Sequence, residues 1–202
     1  MISEHDQQRI SNAIHEAEKS TAGEIFVVVA RQASAYRAIP ALVALFMALV
    51  SPWPLIWFTD LGPTRIFTIQ LAVAAALNGL LAWPPLHLAL IPNSIKRARA
   101  HEAALREFVS HGLSRTQGRT GVLIYVAAAE HYAEIIADIG IADRAGPALW
   151  QEIIDALTAA IRQGKPCEGL LQAVQRAGAI LAEHAPPQAQ DANELPNKVV
   201  LL

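Results

Sequence analysis

Two long apolar runs dominate the pattern of hydrophobic and polar positions along the chain. No charged residue lies between Ala38 and Thr59 or between Ile66 and Ile95. A helix of about 20 apolar residues crosses the hydrocarbon core of a bilayer. The runs 39–58 and 66–83, with an extension of the second to 91 left open, therefore predict a transmembrane helical hairpin. The alternative is a buried hairpin in a soluble protein, but a soluble helix normally carries a polar face and these runs carry almost none.

The flanks of the hairpin predict its orientation. Cationic residues stand at both soluble ends, namely Arg37 before the first run and Lys96, Arg97 and Arg99 after the second. Because positive residues stay on the cytoplasmic side, we expect both termini and the soluble parts in the cytoplasm, below a bacterial-type inner (plasma) membrane. The protein would then be multi-pass, with the lipid bilayer as a partner. The cations at 96–99 fit either a solvated topology signal or attraction to anionic lipid headgroups.

Tryptophans support the hairpin, because Trp53 and Trp57 lie near the turn and Trp83 lies at the opposite end, as expected of residues at the two membrane interfaces. The N-terminal residues are polar, so no signal peptide is expected before the first run. Pro84 and Pro85 are expected to stop the second helix.

The soluble parts alternate between helical and strand patterns. A capping box of Ser3 and Asp6 opens a first helix that runs to about Lys19. The β-branched run Glu24–Ala30 predicts a buried strand. The further predicted elements are a helix from Ser94 to about Gly112, strands at Gly121–Ala128 and Tyr132–Ile139 that pair antiparallel, and helices from Pro147 to Gly164 and from Cys167 to His184.

This order of elements predicts the fold class. Strands enclosed by helices indicate an α/β sandwich, a small mixed sheet covered by helices, which the two-helix transmembrane hairpin interrupts. The expected organisation is a discontinuous soluble domain of residues 1–38 plus 92–184, a hairpin at 39–91 and a polar C-terminal tail at 185–202.

Composition adds two exclusions. The 202-residue chain has a formal charge of −2, and no basic stripe is interleaved with aromatic residues, so no nucleic-acid partner is expected. The single cysteine, Cys167, excludes an internal disulfide framework and fits a reducing compartment.

Four stretches resemble the TPM domain, a family of thylakoid-lumen phosphatase-like proteins, photosystem-repair proteins and many bacterial membrane proteins. They are Ser3–Ile14, the T-x-G-x-I start at Thr21–Ile25, the helix end and G-V-L strand at Phe108–Val126, and the x-G-L-L segment within Lys165–Val174. The resemblance implies a metal-dependent phosphatase-like hydrolase that uses a divalent cation, calcium or magnesium. Many members read D-N-G where this chain reads Arg119-Thr120-Gly121, and an arginine in place of a carboxylate removes a ligand for a hard cation.

The sequence supplies no complete catalytic motif. It lacks a Walker A loop, a G-x-G-x-x-G fingerprint, a G-x-S-x-G elbow and an H-E-x-x-H pair, so catalytic residues stay unknown and neither cofactor nor metal is expected. The best candidate binding constellation comprises Thr21, Gly23, Glu24, Arg119, Thr120 and Gly121. There Arg119 and the amides of 117–119 could hold a phosphate or carboxylate, or Glu24 and Arg119 could simply form an ion pair. The alternative metal set consists of Glu24, Asp138 and Asp143.

Two functions follow from these patterns. The first is a non-catalytic module that binds another membrane or membrane-associated protein and serves in assembly, maintenance or stress response. The second is the phosphatase-like hydrolase that the resemblance implies, with Arg119 steering the phosphate. A transport accessory is a third, weaker interpretation, prompted by Gln70, Asn78 and His87 in the second run.

Overall fold

The computed structural model describes residues 2–81, 83, 88–187 and 194–202. The chain divides into two compact units, the first formed by Met1–Ala33 with Arg97–Leu202 and the second by Ser34–Lys96. Pro84, Pro85 and His87 lie outside the described residues, and so does part of the extension of the second apolar run to 91.

A mixed sheet of four strands forms the first unit, among the residues that the structure describes. Its spatial order is β3-β2-β1-β4, where β1 is Glu24–Ala30, β2 is Gly121–Ala127, β3 is Tyr132–Ala137 and β4 is Val199–Leu201. Strand β1 pairs parallel with both β2 and β4, and β2 pairs antiparallel with β3. The predicted α/β fold with a small mixed sheet is therefore confirmed, and so is the antiparallel pairing of the second and third strands.

Helices cover both faces of this sheet. The described helices of the chain are α1 (Glu4–Glu18), α2 (Ala38–Val50), α3 (Pro52–Phe58), α4 (Pro63–Leu81), α5 (Asn93–Ser110), α6 (Ile139–Ala145), α7 (Pro147–Arg162) and α8 (Pro166–His184), with a short 3-10 turn at Leu113–Arg115. Alternation along β1 sends Ile25 and Val27 into the core under α1, α7 and α8. The intervening Phe26 and Val28 pack with the buried face of α5.

Burial on both sides explains why β1 and β2 read as continuous apolar runs. All seven residues of β2 are buried, and six of the seven in β1 are. Parallel strands covered on both faces lack the polar alternation of a solvated sheet. Helix α1 begins at the capping box that the sequence predicts, because the Ser3 hydroxyl accepts from the Asp6 amide and the Asp6 carboxylate accepts from the Ser3 amide.

The structure differs from the sequence analysis at two places in the first unit. Residues 185–202 were expected to be a polar tail, yet Val199–Leu201 forms an edge strand paired with Val27–Val29. The apolar side chain of Val199 is 9% exposed and joins the core, which the preceding polar residues do not indicate. Strand β3 ends at Ala137 rather than Ile139, because the Asp138 side chain accepts from the Ile139 amide and starts helix α6.

The second unit contains two helical segments that are long and apolar enough to cross a membrane by length and composition. They are Ala38–Phe58, which comprises α2 and α3, and Pro63–Leu81, which is α4. Pro52 begins α3 at a helical position that needs no amide donor, after a turn at Ser51. The buried residues of α2 are Pro40, Ala44 and Ala48, while most of its large apolar side chains are exposed.

Candidate functional site

The amino-terminal ends of β1 and β2 bring together the two stretches of the candidate binding constellation, 21–24 and 119–121. Glu24 is the register partner of Gly121 in the parallel ladder. The Thr120 hydroxyl lies 3.1 Å from the main-chain oxygen of Ala22 and donates to it. Thr21, Gly23 and Glu24 thus lie next to Arg119, Thr120 and Gly121, at the edge of the sheet where both strands begin.

Thr21 is engaged by the main chain. Its side chain is 4% exposed, and the hydroxyl donates to the main-chain oxygen of Ala185 at 2.6 Å while accepting from the Gly23 amide at 3.0 Å. The amide of Ala22 donates to the same oxygen of Ala185. A hydroxyl has one hydrogen to donate, and here it bonds the turn between α1 and β1 to the end of α8.

Close packing explains the glycines of this edge. A Cβ on Gly23 would lie 2.6 Å from Cδ2 of Leu181, and a Cβ on Gly121 would lie 2.6 Å from the main-chain oxygen of Leu113. Gly121 requires glycine because main chain fills the space of a side chain, whereas at Gly23 the Leu181 side chain would have to shift. The family-like glycines at 23 and 121 are therefore accounted for by packing of the first unit.

Arg119 forms its ion pair with Asp138, in place of the Glu24 partner considered from the sequence. The Nε atom lies 2.7 Å from Oδ2, and Nη2 lies 3.0 Å from Oδ1. Asp138 is brought there because β3 runs antiparallel to β2 and the Asp138 amide donates to the oxygen of Gly121. The Asp138 carboxylate also accepts from the Ile139 amide at 2.8 Å, so it caps α6 and binds the guanidinium at once.

Glu24 binds the C-terminal segment of the chain. Its side chain is 7% exposed, and Oε1 accepts from the Glu194 amide at 2.9 Å. The carboxylate of Glu194 in turn accepts from the Gln117 amide at 3.1 Å. One of the amides nominated to hold a phosphate or carboxylate is thus bound by a carboxylate of the chain itself. Sequence reasoning missed Glu194, because no local pattern links it to residues 77 positions earlier.

A second acidic side chain, Glu18, lies at the same edge and was also missed. Its Oε1 accepts from the Ile25 amide at 2.9 Å, and the Asn197 side chain also hydrogen-bonds the carboxylate. Burial raises the pKa of Glu18 to about 8, and repulsion from Glu24 adds to that rise. The signal was available, since Ile10, Ile14 and Glu18 recur every four residues on one face of α1.

The alternative metal set does not fit what lies here. Among the described residues, no three His, Cys, Asp or Glu side chains gather as ligands for an ion. Both oxygens of Asp138 are engaged by Arg119, and Asp143 is an exposed residue of α6. A guanidinium on the one buried aspartate of the set would repel a second cation.

The side chains expected to flank the hairpin lie just before α2 and in the first half of α5. Arg37 precedes α2, and Lys96, Arg97 and Arg99 belong to the first half of α5. Arg37, Arg97 and Arg99 are exposed, and Arg99 pairs with Glu102 at 2.9 Å. Thr64 and Ala74 supply the main-chain oxygens that the side chains of Thr68 and Asn78 bind within α4.

Comparison with known proteins bears on the family. Residues 88–180 match the family model of the TPM domain. The solved NMR structure of BA42 protein from the psychrophilic bacterium Bizionia argentinensis has the same fold, with a TM-score of 0.62, 21% identity, and coverage of 100% of this chain and 96% of that one. No curated protein matches the chain. The resemblance to the TPM domain family is confirmed, and the segment from 88 to 180 carries it.

Proposed function

We propose that this chain is a membrane-anchored TPM-domain protein whose soluble unit acts without catalysis. It would bind another membrane or membrane-associated protein at the cytoplasmic face of an inner membrane. The observation that carries the proposal is the exposed apolar surface of the second unit. The further arguments come from the charges beside that surface and from the bonding of the candidate constellation.

The burial pattern of the second unit is the reverse of the pattern expected for a helical hairpin that folds in water. Its small residues, such as Ala44, are buried, whereas Leu45 is 63% exposed and Leu71 is 72% exposed. Apolar surface costs about 25 cal/mol per Å² when it faces water, so a row of such side chains requires an apolar surrounding. A bilayer supplies it, and the helical form satisfies the main-chain polar groups there.

The orientation follows from the charges at the ends of the helices. Asp60 lies in the loop between the two segments and Arg65 in the first turn of α4, while the soluble ends carry Arg37 and the cations at 96, 97 and 99. The rule that lysine and arginine stay inside then places both termini in the cytoplasm. The same cations could also contact anionic headgroups, at about 1 kcal/mol for each residue near the surface.

The bonding of the candidate constellation supports a role without catalysis. The Thr21 and Thr120 hydroxyls donate to main-chain oxygens, and the Arg119 guanidinium binds Asp138. Glu24 binds the amide of Glu194. These four side chains are thus held by other parts of the fold, as expected of structural residues, and binding a substrate would require those bonds to break.

Membrane anchoring and orientation are tested together. The full chain is expressed in a bacterium with alkaline phosphatase inserted at Gly62, where a Cβ would meet no atom within 4 Å, or fused after Leu202. We expect the protein to stay in the membrane pellet after an alkaline carbonate wash, with enzyme activity only for the Gly62 insertion. Release by the wash would overturn the anchoring. Activity only for the fusion after Leu202 would overturn the orientation.

Partner binding is tested from the exposed face of α5. Val109 is 62% exposed and Leu105, one turn earlier, is 42% exposed. A photoreactive amino acid at 109 should give one discrete crosslinked product in intact cells, which Leu105→Glu removes. The matched control places the same amino acid at the exposed Arg176 of α8, where no such product is expected. Equal crosslinking at both sites, or none at 109, would contradict a specific partner on this face.

The competing proposal is a metal-dependent phosphatase-like hydrolase, which the family resemblance favours. It is tested on the purified full chain with p-nitrophenyl phosphate and Mg²⁺ or Ca²⁺, with and without chelator. We expect no turnover that the chelator abolishes. Metal-dependent turnover that is lost in Glu24→Gln and retained in the control Glu16→Gln would replace the non-catalytic proposal with the enzymatic one.

A further inference from the structure

A cavity lies at the end of the sheet opposite the candidate binding constellation, where the parallel strands finish. Its volume is about 440 Å³, within the range of about 300–1,000 Å³ that is usual for ligand pockets. Residues from the carboxyl-terminal ends of β1, β2 and β4 line it. Ligands of open α/β sheets bind outside the carboxyl ends of parallel strands, and all three of these strands are parallel.

The walls of the cavity are apolar. Leu170 and Val126 are 1% and 4% exposed and belong to the core, whereas Leu201 is 46% exposed. Ile2 and Ile161 contribute half-buried side chains. The lining thus extends from the buried Leu170 to the exposed Leu201. It forms a continuous apolar surface that contains no uncharged polar side chain.

Arg31 supplies the one charged side chain of the lining. Its main chain is fixed at both ends, because its amide donates to the oxygen of Leu202 at 2.8 Å and its oxygen accepts from the Ala129 amide at 3.0 Å. Its side chain is exposed and makes no ion pair or side-chain hydrogen bond with any residue that the structure describes. A fixed backbone therefore presents an uncommitted cation to an apolar cavity.

The start of α8 adds to the positive potential at this edge. Pro166, the first residue of that helix of 19 residues, lines the cavity, and Lys165 before it makes no capping bond with its side chain. Unpaired amides at a helix start attract anions. Glu168 in the same turn is the opposing charge, and it is exposed.

We propose that this cavity binds a long-chain fatty acid, with the acyl chain against Leu170 and Val126 and the carboxylate at Arg31. An apolar wall with a single cation matches a ligand that has one anionic group and an unbranched tail. A nucleotide or peptide would need several convergent polar groups, which the lining does not supply. The proposal stands on the first unit alone, so it does not depend on the hairpin crossing a bilayer.

The test uses palmitic acid that carries a photoreactive diazirine in its tail. The full chain in lipid nanodiscs is irradiated with this probe, and the modified residues are mapped by mass spectrometry. We expect adducts on residues that line the cavity, and we expect excess unlabelled palmitate to suppress them. Arg31→Ala should raise the probe concentration that half-saturates labelling by about tenfold, because a hydrogen-bonded charge pair is lost. The matched control Arg176→Ala should label like the unsubstituted chain.

Two further arms separate the cavity from general partition into lipid. Leu201→Trp fills the rim at a position that is 46% exposed, and it should abolish the cavity adducts without lowering the melting temperature of the chain. The diazirine analogue of hexadecanol, which lacks the carboxylate, should label the cavity about as weakly as the acid labels Arg31→Ala. Adducts confined to α2 and α4, or cavity labelling unaffected by Leu201→Trp and Arg31→Ala, would overturn the proposal. Failure of the membrane anchoring would instead appear in the carbonate wash.

Discussion

Arg119 donates two hydrogen bonds to Asp138, with Nε 2.7 Å from Oδ2 and Nη2 3.0 Å from Oδ1. The carboxylate is buried, since Asp138 is 4% exposed, while the arginine side chain is 47% exposed. The amide of Gly140 donates back to the oxygen of Arg119 at 2.9 Å. Arg119 thereby joins the loop before β2 to the start of α6, and its left-handed backbone, with a φ of 53°, is held by these bonds.

Replacing Arg119 with alanine should destabilise the first unit. The buried Asp138 carboxylate would retain the Ile139 amide but lose both guanidinium bonds. Loss of one partner of a buried pair costs about 3–5 kcal/mol. Because Arg119 is half exposed, solvent screening reduces the expected cost to about 1–3 kcal/mol.

Thermal unfolding of the purified full chain measures this cost. A loss of 1 kcal/mol lowers the melting temperature by about 2–4 °C in a chain of this size. Arg119→Lys should fall between Arg119→Ala and the unsubstituted chain, because lysine keeps the charge but not the two-point geometry. Arg176→Ala is the control. A melting temperature unchanged in Arg119→Ala would show that the ion pair contributes nothing.

Glu18 should make stability fall as the pH rises from about 4.5 to 8. Its pKa is raised from 4.5 to about 8, first by burial and further by Glu24. Below pH 4.5 both the folded and the unfolded chain hold the proton, so its contribution is fully present there. Between the two values the unfolded chain releases the proton and the folded chain keeps it, which lowers the free energy of unfolding.

Glu18→Gln should remove that slope. The glutamine oxygen can still accept from the Ile25 amide, so the variant should match the unsubstituted chain near pH 4.5 and exceed it by about 1–3 kcal/mol near pH 8. Thermal unfolding at pH 4.5, 6 and 8 measures the difference. Glu16→Gln, at an exposed position of the same helix, should leave the slope between pH 5 and 8 intact. If stability fell with pH equally in Glu18→Gln and in the unsubstituted chain, Glu18 would not be the group that causes the slope.

The elements of this fold were predictable where a local pattern specifies them. The bounds of β1 follow from an unbroken β-branched run, and the start of α1 follows from the Ser3 and Asp6 side chains. The partners in the candidate constellation were less accessible. Asp138 reaches Arg119 only because β3 turns back along β2, and Glu194 reaches Gln117 only after the C-terminal segment returns to the sheet. Such contacts depend on tertiary topology, which spacing along the chain does not encode.

Gly121→Ala should test the packing at the start of β2. A Cβ there would lie 2.6 Å from the main-chain oxygen of Leu113, so backbone must move to admit a methyl group. Overpacking of this kind costs about 1–3 kcal/mol. Thermal unfolding should show the loss for Gly121→Ala and none for Gly62→Ala, where no atom lies within 4 Å of the added Cβ. Equal melting temperatures for the two variants would contradict the close approach of Leu113.

Cys167 should react slowly with thiol reagents in the folded chain. Its side chain is buried, 6% exposed, and burial, together with the hydrogen bond that the thiol donates to the Asp6 carboxylate, raises the pKa of the thiol from 9.0 to about 11. The thiolate is the reactive form, and a rise of that size lowers its population near pH 8 about a hundredfold. Restricted access slows the reaction further. Iodoacetamide labelling followed by mass spectrometry should therefore be at least about a hundredfold slower in the native chain than in the chain unfolded by denaturant. Labelling at comparable rates in the two states would show that the thiol is accessible and ionised. It would also contradict the close packing of α1 against the start of α8, where the Arg9 guanidinium lies 3.6 Å from the sulfur.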